Sequence, residues 1–203
     1  MLQNRIDPFG NIIRTPAKGA WMGNRGILHD DKKEIRHLFR LKAWITCKLE
    51  YKGNRREVMS PNTWTELFFL DEATAFSAGH RPCFFCRNQE AKNFKAHWIK
   101  GNPGYGFTYN TSVQELDSIL HRERIGEDKQ KRTHEEEINL LPNGSFISIQ
   151  GQPYLVNDTH LHLWTPFGYE QCIDRPAFGK IVLITPPTIV NAFRAGYLPQ
   201  MKL

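Results

Sequence analysis

The segment EATAFSAGHRPCFFCRNQ, residues 72–89, carries the clearest structural signals in the chain. The carboxylate of Asp71 precedes it and can cap a helix that the pattern predicts over 72–78. Gly79 is placed to end that helix, because glycine adopts the left-handed conformation found at helix C-termini. A second helix is predicted over 83–100, and its first residues contain two cysteines in a CxxC spacing.

The rest of the chain mixes short strands with short helices. The first 31 residues are rich in Gly, Pro and Asn, which indicates ordered loop with at most one short strand. The other predicted elements are strands over 43–49, 56–60 and 65–70, helices over 112–124, 134–141 and 188–195, a β-meander over 145–165, and a strand over 180–185. This pattern predicts an α+β fold: one compact domain, residues 1–203, with a mixed or antiparallel sheet, flanking helices and a structural metal site.

Length and composition set the class of protein. The chain has 203 residues, of which 40% are hydrophobic, 12% aromatic and 24% charged. Its mean hydropathy is −0.52. These values are typical of a globular domain and exclude collagen-like, coiled-coil and disordered chains. No apolar run approaches the roughly 18 residues that cross a bilayer, and the start MLQNRIDPFG lacks an export signal, so we expect a cytoplasmic protein without membrane association.

Charge is distributed unevenly along the chain. Residues 1–100 hold 18 basic and 10 acidic side chains, whereas 101–203 hold 9 and 11. The basic half, 1–100, also contains the CxxC pair; 101–137 is predicted to be a loop and helical excursion, and 138–203 the β-meander with the last strand and helix. A basic region steers phosphate-bearing partners, although charge alone specifies no ligand.

The cysteines indicate a metal site. Cys83 and Cys86 can turn toward one ion, and four cysteines in a chain without an export signal favour metal or redox chemistry over disulfides. Zinc needs four ligands in a structural site, so we expect Cys47 as the third ligand and Cys172 as the fourth, with His80 as the alternative. A pair of buried unligated cysteines and a redox dithiol remain open as other interpretations.

Residues 72–89 resemble the second half of the zinc-binding domain of the adaptive-response (Ada) DNA-repair proteins. In that family four cysteines hold zinc, one of them accepts a methyl group from a DNA phosphotriester, and the domain binds DNA. The resemblance covers about eighteen residues and carries over only Cys83 and Cys86, since Cys47 is the one cysteine upstream. It implies zinc and DNA association. The whole chain, especially residues 4–26, also resembles a group of bacterial proteins, which implies no activity.

Several side chains near the cysteines could contact nucleic acid. Arg25, Arg55, Arg56, Arg81 and Arg87 are the predicted phosphate-contacting set. Aromatic side chains that could stack on bases are Tyr51, Trp64, Phe84 and Phe85.

Together these features predict a zinc-stabilised protein that binds nucleic acid, DNA rather than RNA, in repair, processing or defence. The first alternative is a zinc-assisted hydrolase or nuclease, for which an open coordination position would be the distinguishing feature. A zinc deaminase fits less well, because Glu50 follows Cys47 by three positions where that signature requires two. The remaining alternative is a metal-free module that binds a small molecule or a protein.

Overall fold

The computed structural model describes residues 1–53 and 57–203, which contain two six-stranded sheets and four α-helices. One sheet is mixed and the other antiparallel. The α+β single-domain class predicted above is therefore confirmed.

The first sheet is built from the basic half of the chain. Its strands are β1 (Gln3–Ile6), β2 (Ile12–Arg14), β3 (Trp21–Asn24), β4 (Ile45–Cys47), β5 (Leu67–Phe69) and β6 (Arg81–Pro82). They lie in the order β2-β1-β5-β3-β4-β6. The pairs β1–β5 and β4–β6 are parallel, and the other three pairs are antiparallel. Strand β6 is at one edge of the sheet with β4 beside it, and the cysteines lie where these two strands end.

The second sheet is built from the C-terminal part of the chain. Its strands are β7 (His134–Glu137), β8 (Phe146–Ile149), β9 (Gln152–Asn157), β10 (His160–Thr165), β11 (Gly168–Asp174) and β12 (Lys180–Leu183). They lie in the order β11-β10-β9-β8-β12-β7, and every neighbouring pair is antiparallel. The predicted meander corresponds to β8, β9 and β10.

A short buried helix connects the sheets with the helical core. The helices are α1 (Glu72–Ser77), α2 (Asn88–Gly101), α3 (Val113–Arg124) and α4 (Pro187–Arg194). All six residues of α1 are buried, and Asp71 caps it as predicted, because its Oδ1 accepts a hydrogen bond from the Thr74 amide at 2.8 Å. Phe76 packs with Phe94 and Phe193 from α2 and α4.

Among the described residues, no helix combines the length and apolar composition needed to cross a membrane.

Four sequence predictions differ from the structure. The helix predicted over 83–100 begins at Asn88 as α2, so both cysteines precede it. Residues 134–141, predicted to be helical, form β7 and a short 3-10 turn, because β7 pairs in register with β12. The first 31 residues form three strands, β1, β2 and β3. Each strand is too short to show an alternation of apolar and polar residues. Pairing with other strands stabilises them. The sequence predicts the second strand of a hairpin over 56–60, but residues 57–60 do not form a strand. Arg55 and Arg56 lie outside the described residues.

The end of α1 depends on Gly79. Its φ is +86°, and a Cβ there would lie 2.4 Å from Cδ of Arg124. We therefore expect Gly79→Ala to lower the free energy of unfolding by about 1–3 kcal/mol, the cost of holding a non-glycine residue in that conformation. Urea denaturation measures this. Gly104→Ala is the matched control, since its Cβ would meet nothing within 4 Å; equal stability of the two variants would contradict the prediction.

Candidate metal centre

Three cysteines from two distant segments come together at the edge of the first sheet. The sulfur atoms of Cys47, Cys83 and Cys86 all lie within 4.8 Å of one another, and all three side chains are buried. Sulfurs in a tetrahedral zinc shell lie roughly 3.8 Å apart when each Zn–S bond is about 2.3 Å. The three-cysteine group could therefore hold a metal ion after small side-chain adjustments.

Strand pairing brings the three thiols together. Thr46 pairs with Pro82 in the parallel β4–β6 ladder, and the amide of Cys83 donates to the Thr46 carbonyl at 2.9 Å. Cys47 and Cys83 are thus held on adjacent strand ends. The chain then turns before α2, with the amide of Arg87 donating to the Cys83 carbonyl at 3.0 Å, and this turn presents Cys86 to the other two.

The three thiols differ in their readiness to lose a proton. Hydrogen bonds from the Cys47 thiol and from the amides of Cys86 and Phe85 lower the pKa of Cys83 to about 5. The pKa of Cys47 is raised, first by its hydrogen bond to Cys83 and then by burial. Burial raises the pKa of Cys86. Without a cation the group therefore carries one thiolate at neutral pH, and a bound metal must displace the protons of the other two.

The donor set fits zinc well. Three thiolates are soft ligands of the kind found in zinc sites, and this buried group supplies no carboxylate or carbonyl of the kind that magnesium or calcium prefers. Among residues 1–53 and 57–203, no fourth Cys, His, Asp or Glu joins the group. The described residues thus provide three of the four positions of a tetrahedral site.

The two residues predicted as the fourth ligand are elsewhere. Cys172 is exposed on β11 in the second sheet, which is the wrong sheet for the cluster. His80 is fully buried between the rings of Trp44 and Phe69, and its Nε2 accepts a hydrogen bond from Arg25 Nε at 3.1 Å. Desolvation, followed by the nearby Arg25 charge, holds the pKa of His80 well below its ordinary value. Both assignments as ligands are corrected.

Three of the arginines predicted to contact phosphate lie within the described residues, and all three are buried. Arg81 is buried and forms a bidentate ion pair with Asp117, with both N···O distances at 2.7 Å. Arg87 is buried and pairs with Glu72, and Arg25 is 1% exposed. These guanidinium groups are therefore not part of a solvent-facing phosphate surface. The sequence did not single out Asp117 or Glu72, because neither is near its partner in a recognisable motif.

Arg87 links the cysteine turn to the rest of the fold. Its Nη2 donates to Glu72 at 2.5 Å, and its Nη1 donates to the hydroxyl of Thr46, the neighbour of Cys47, at 2.8 Å. Glu72 also accepts hydrogen bonds from the Tyr197 hydroxyl and the Gln200 amide. One buried ion pair thus connects β4, α1, α2 and the C-terminal segment.

The mouth of the cluster carries exposed aromatic and basic groups. Phe85 is 74% exposed and its ring lies 5.3 Å from that of Tyr51, which packs on the cysteines. The amide of Lys48 bonds to the sulfur of Cys86, and its side chain is exposed. The ammonium of Lys52 lies 5.5 Å from the Tyr51 ring centroid. An apolar platform with nearby cations therefore surrounds the candidate metal site.

The ligand assignment can be tested by metal analysis. We expect purified protein to contain one metal ion per chain and Cys83→Ser to lose it, because two thiolates and a hydroxyl bind zinc weakly. Elemental analysis and thermal unfolding measure the loss and the accompanying fall in Tm. Cys172→Ser is the control and should retain the metal. Full metal content in Cys83→Ser would show that the three-cysteine group is not the site.

The buried ion pair can be tested separately. Glu72→Gln leaves the Arg87 charge buried without its partner, so we expect the free energy of unfolding to fall by about 3–5 kcal/mol. Glu90→Gln is the control. Glu90 is partly exposed and lies 3.8 Å from Arg87 Nε, and an exposed pair of this kind contributes about 0–1 kcal/mol. Denaturant titration of both variants compares the two, and similar losses would contradict a central role for Glu72.

Comparison of the chain with protein-family models, with curated proteins and with solved structures finds no match. The likeness to the Ada zinc domain remains a resemblance over residues 72–89, and the three-cysteine group does not by itself identify that family. Function must therefore be inferred from the chemistry of the site and its surroundings.

Proposed function

We propose that this protein is a zinc-stabilised nucleic-acid-binding protein that acts on DNA. The observation that carries the proposal is the position of three clustered thiols beside an exposed phenylalanine, with exposed lysines on the loop that follows Cys47. The resemblance of residues 72–89 to a DNA-repair zinc domain favours DNA over RNA, and repair, processing or defence as the setting.

Zinc has a structural role in this proposal. Cys47 ends β4, whereas Cys83 and Cys86 belong to the turn between β6 and α2. An ion held by all three would fix that turn against the sheet. Because the unfolded chain has no preformed site, the free energy of metal binding becomes free energy of folding. The position of Phe85, which lies between the two cysteines of the turn, would be fixed at the same time.

The surface around the metal has the composition of a site for single-stranded nucleic acid. Base–aromatic stacking is tolerant of sequence because every base has a π-face, and Phe85 and Tyr51 present such rings. Lys48 and Lys52 are exposed and can contact phosphate, although Glu50 lies on the same loop. Arg25, Arg81 and Arg87, which were predicted for this role, are buried, and Arg55 and Arg56 lie outside the described residues. The loop lysines therefore take this role in the proposal.

The central test is removal of the exposed ring. We expect Phe85→Ala to weaken binding of a single-stranded oligonucleotide of about 12 nucleotides by roughly 5- to 150-fold, the range for loss of one base stack of about 1–3 kcal/mol. Fluorescence anisotropy at several salt concentrations measures this, and affinity should fall as salt rises.

Phe178→Ala provides the matched control, since Phe178 is 83% exposed in the segment between β11 and β12. Equal effects of the two substitutions would remove Phe85 from the binding site. If the metal-loaded protein binds no oligonucleotide at low salt, the nucleic-acid function itself is wrong.

A zinc-assisted hydrolase or nuclease is the second candidate. It is favoured by the three-thiol set, because a fourth position not filled by protein can hold a water molecule and lower its pKa. Incubation of the same labelled oligonucleotide with metal-loaded protein, followed by denaturing gel analysis, distinguishes the candidates. Intact oligonucleotide supports binding without nuclease chemistry, and cleavage that Cys83→Ser abolishes supports the nuclease.

A further inference from the structure

A cleft lined by cationic side chains lies between the first sheet and the chain that follows α3. Its volume is about 200 Å³, and Arg25, Arg124 and Lys131 line it. Lys129 and Gln130, which are exposed, also line it and form its solvent side. Since one water molecule needs about 10–15 Å³, the cleft has room for a small ligand.

The two guanidinium groups contact the same indole ring, and the charge of Arg25 acts on Arg124. Arg25 Cζ is 3.8 Å and Arg124 Cζ is 4.0 Å from the centroid of Trp44, and both arginines are fully buried. The indole face stabilises a cation, but two like charges this close in the interior repel each other strongly.

The carboxylates around this cluster do not balance its charge. No ion pair between described residues includes Arg25, Arg124 or Lys131. Asp7 is the carboxylate whose charge acts on Arg25, and its two oxygens accept hydrogen bonds from the amide and side chain of Asn11 at 2.9 Å. The charge of Asp117 also acts on Arg124, but Asp117 is already paired with Arg81. With Lys131 protonated, three cations therefore face one unpaired carboxylate, Asp7, which leaves an excess of two positive charges.

Both arginines retain unused donors. Arg25 Nε donates to His80 and Nη1 to the Gly10 carbonyl, but Nη2 has no acceptor among the described residues. Arg124 donates through both terminal nitrogens, whereas its Nε has no acceptor there. Both nitrogens have almost no accessible surface, so a bound acceptor would reach them only after a small side-chain movement. Such a contact would remove the free-energy cost of an unpaired buried donor.

The third cation of the cleft, Lys131, has a lowered pKa. Desolvation, followed by the charges of Arg124 and Arg25, lowers the pKa of Lys131 to about 7. Its Nζ donates to the Ser77 carbonyl at 2.6 Å, so the ammonium is held against the cleft wall. A bound anion would favour the protonated form.

We infer that this cleft is a binding site for a small dianionic oxyanion, the phosphate group of a phosphomonoester or free phosphate. The excess of two positive charges matches a dianion. Guanidinium groups suit phosphate because their planar forks of N–H donors match its oxygens. The cleft and the three-cysteine group share no residue, so the inference does not depend on the proposed function.

Isothermal titration of the full-length protein with sulfate and with inorganic phosphate tests the site. We expect one anion per chain, and we expect Lys131→Gln to weaken binding by about ten- to a hundredfold, the range for loss of one charge-assisted hydrogen bond. Lys131→Arg keeps the charge and should retain most of the affinity. The exposed Lys92→Gln is the control and should bind like the wild type.

Sulfate also gives a pH readout, because it remains dianionic between pH 6 and 8.5. Lys131 faces Arg25, Arg124 and Asp7, and its charge also acts on His80 and His134, whose pKa values are lowered first by burial. Lys131 is therefore the group expected to titrate near pH 7. Wild-type affinity for sulfate should therefore fall as pH rises through this range, and Lys131→Gln should bind weakly and nearly independently of pH. Absence of sulfate and phosphate binding, or equal affinities of Lys131→Gln and Lys92→Gln, would overturn the inference.

Two further binding measurements identify the molecule that carries the phosphate group. A 5′-phosphorylated oligonucleotide that binds more tightly than its 5′-hydroxyl counterpart, with the difference lost in Lys131→Gln, would identify a nucleic-acid end. Equal binding of the two oligonucleotides, with retained binding of inorganic phosphate, would identify free phosphate or a small phosphomonoester. Phe85→Ala should leave anion binding unchanged, so failure of the proposed function remains distinguishable from failure of this site.

Discussion

The buried ion pair between Arg87 and Glu72 is the interaction on which the candidate metal site depends. Taking both charges out of water is costly, and the structure offsets this cost with an acceptor from β4 and two donors from the C-terminal segment around the pair. Arg87 follows Cys86 directly, and Thr46 precedes Cys47. The hydrogen bonds from Nη1 and Nη2 of Arg87 therefore fix the two chain segments that present the thiols, before any metal binds.

Local patterns predicted much of this region. Asp71 caps α1, Gly79 ends it with a positive φ, and Cys47 joins Cys83 and Cys86, because each of these features depends on neighbours in sequence or on simple strand pairing. The fourth ligand could not be predicted in the same way. Cys172 matched by residue type alone, and its position in the other sheet follows from long-range topology.

Charge was the least predictable property. A basic half of a chain indicates a cationic surface, yet Arg81 pairs with Asp117, which is 36 residues away, and both side chains are buried. The predicted helix at 134–141 failed for a related reason. The glutamates of β7 lie opposite β12, and Glu136 pairs with Arg194 of α4, so tertiary contacts override a capping pattern.

The interior cations fall into two groups with different consequences. Arg81 and Arg87 each have a carboxylate partner, so their charges are neutralised within the fold and serve its architecture. Arg25, Arg124 and Lys131 share a cleft without such partners, and stacking on Trp44 offsets only part of the cost. Two buried arginines and a partly buried lysine beside one cleft are the charge arrangement that an anion would stabilise. Within the basic first half, Arg25, Arg81 and Arg87 are all buried, so part of its positive excess belongs to the interior and not to the surface.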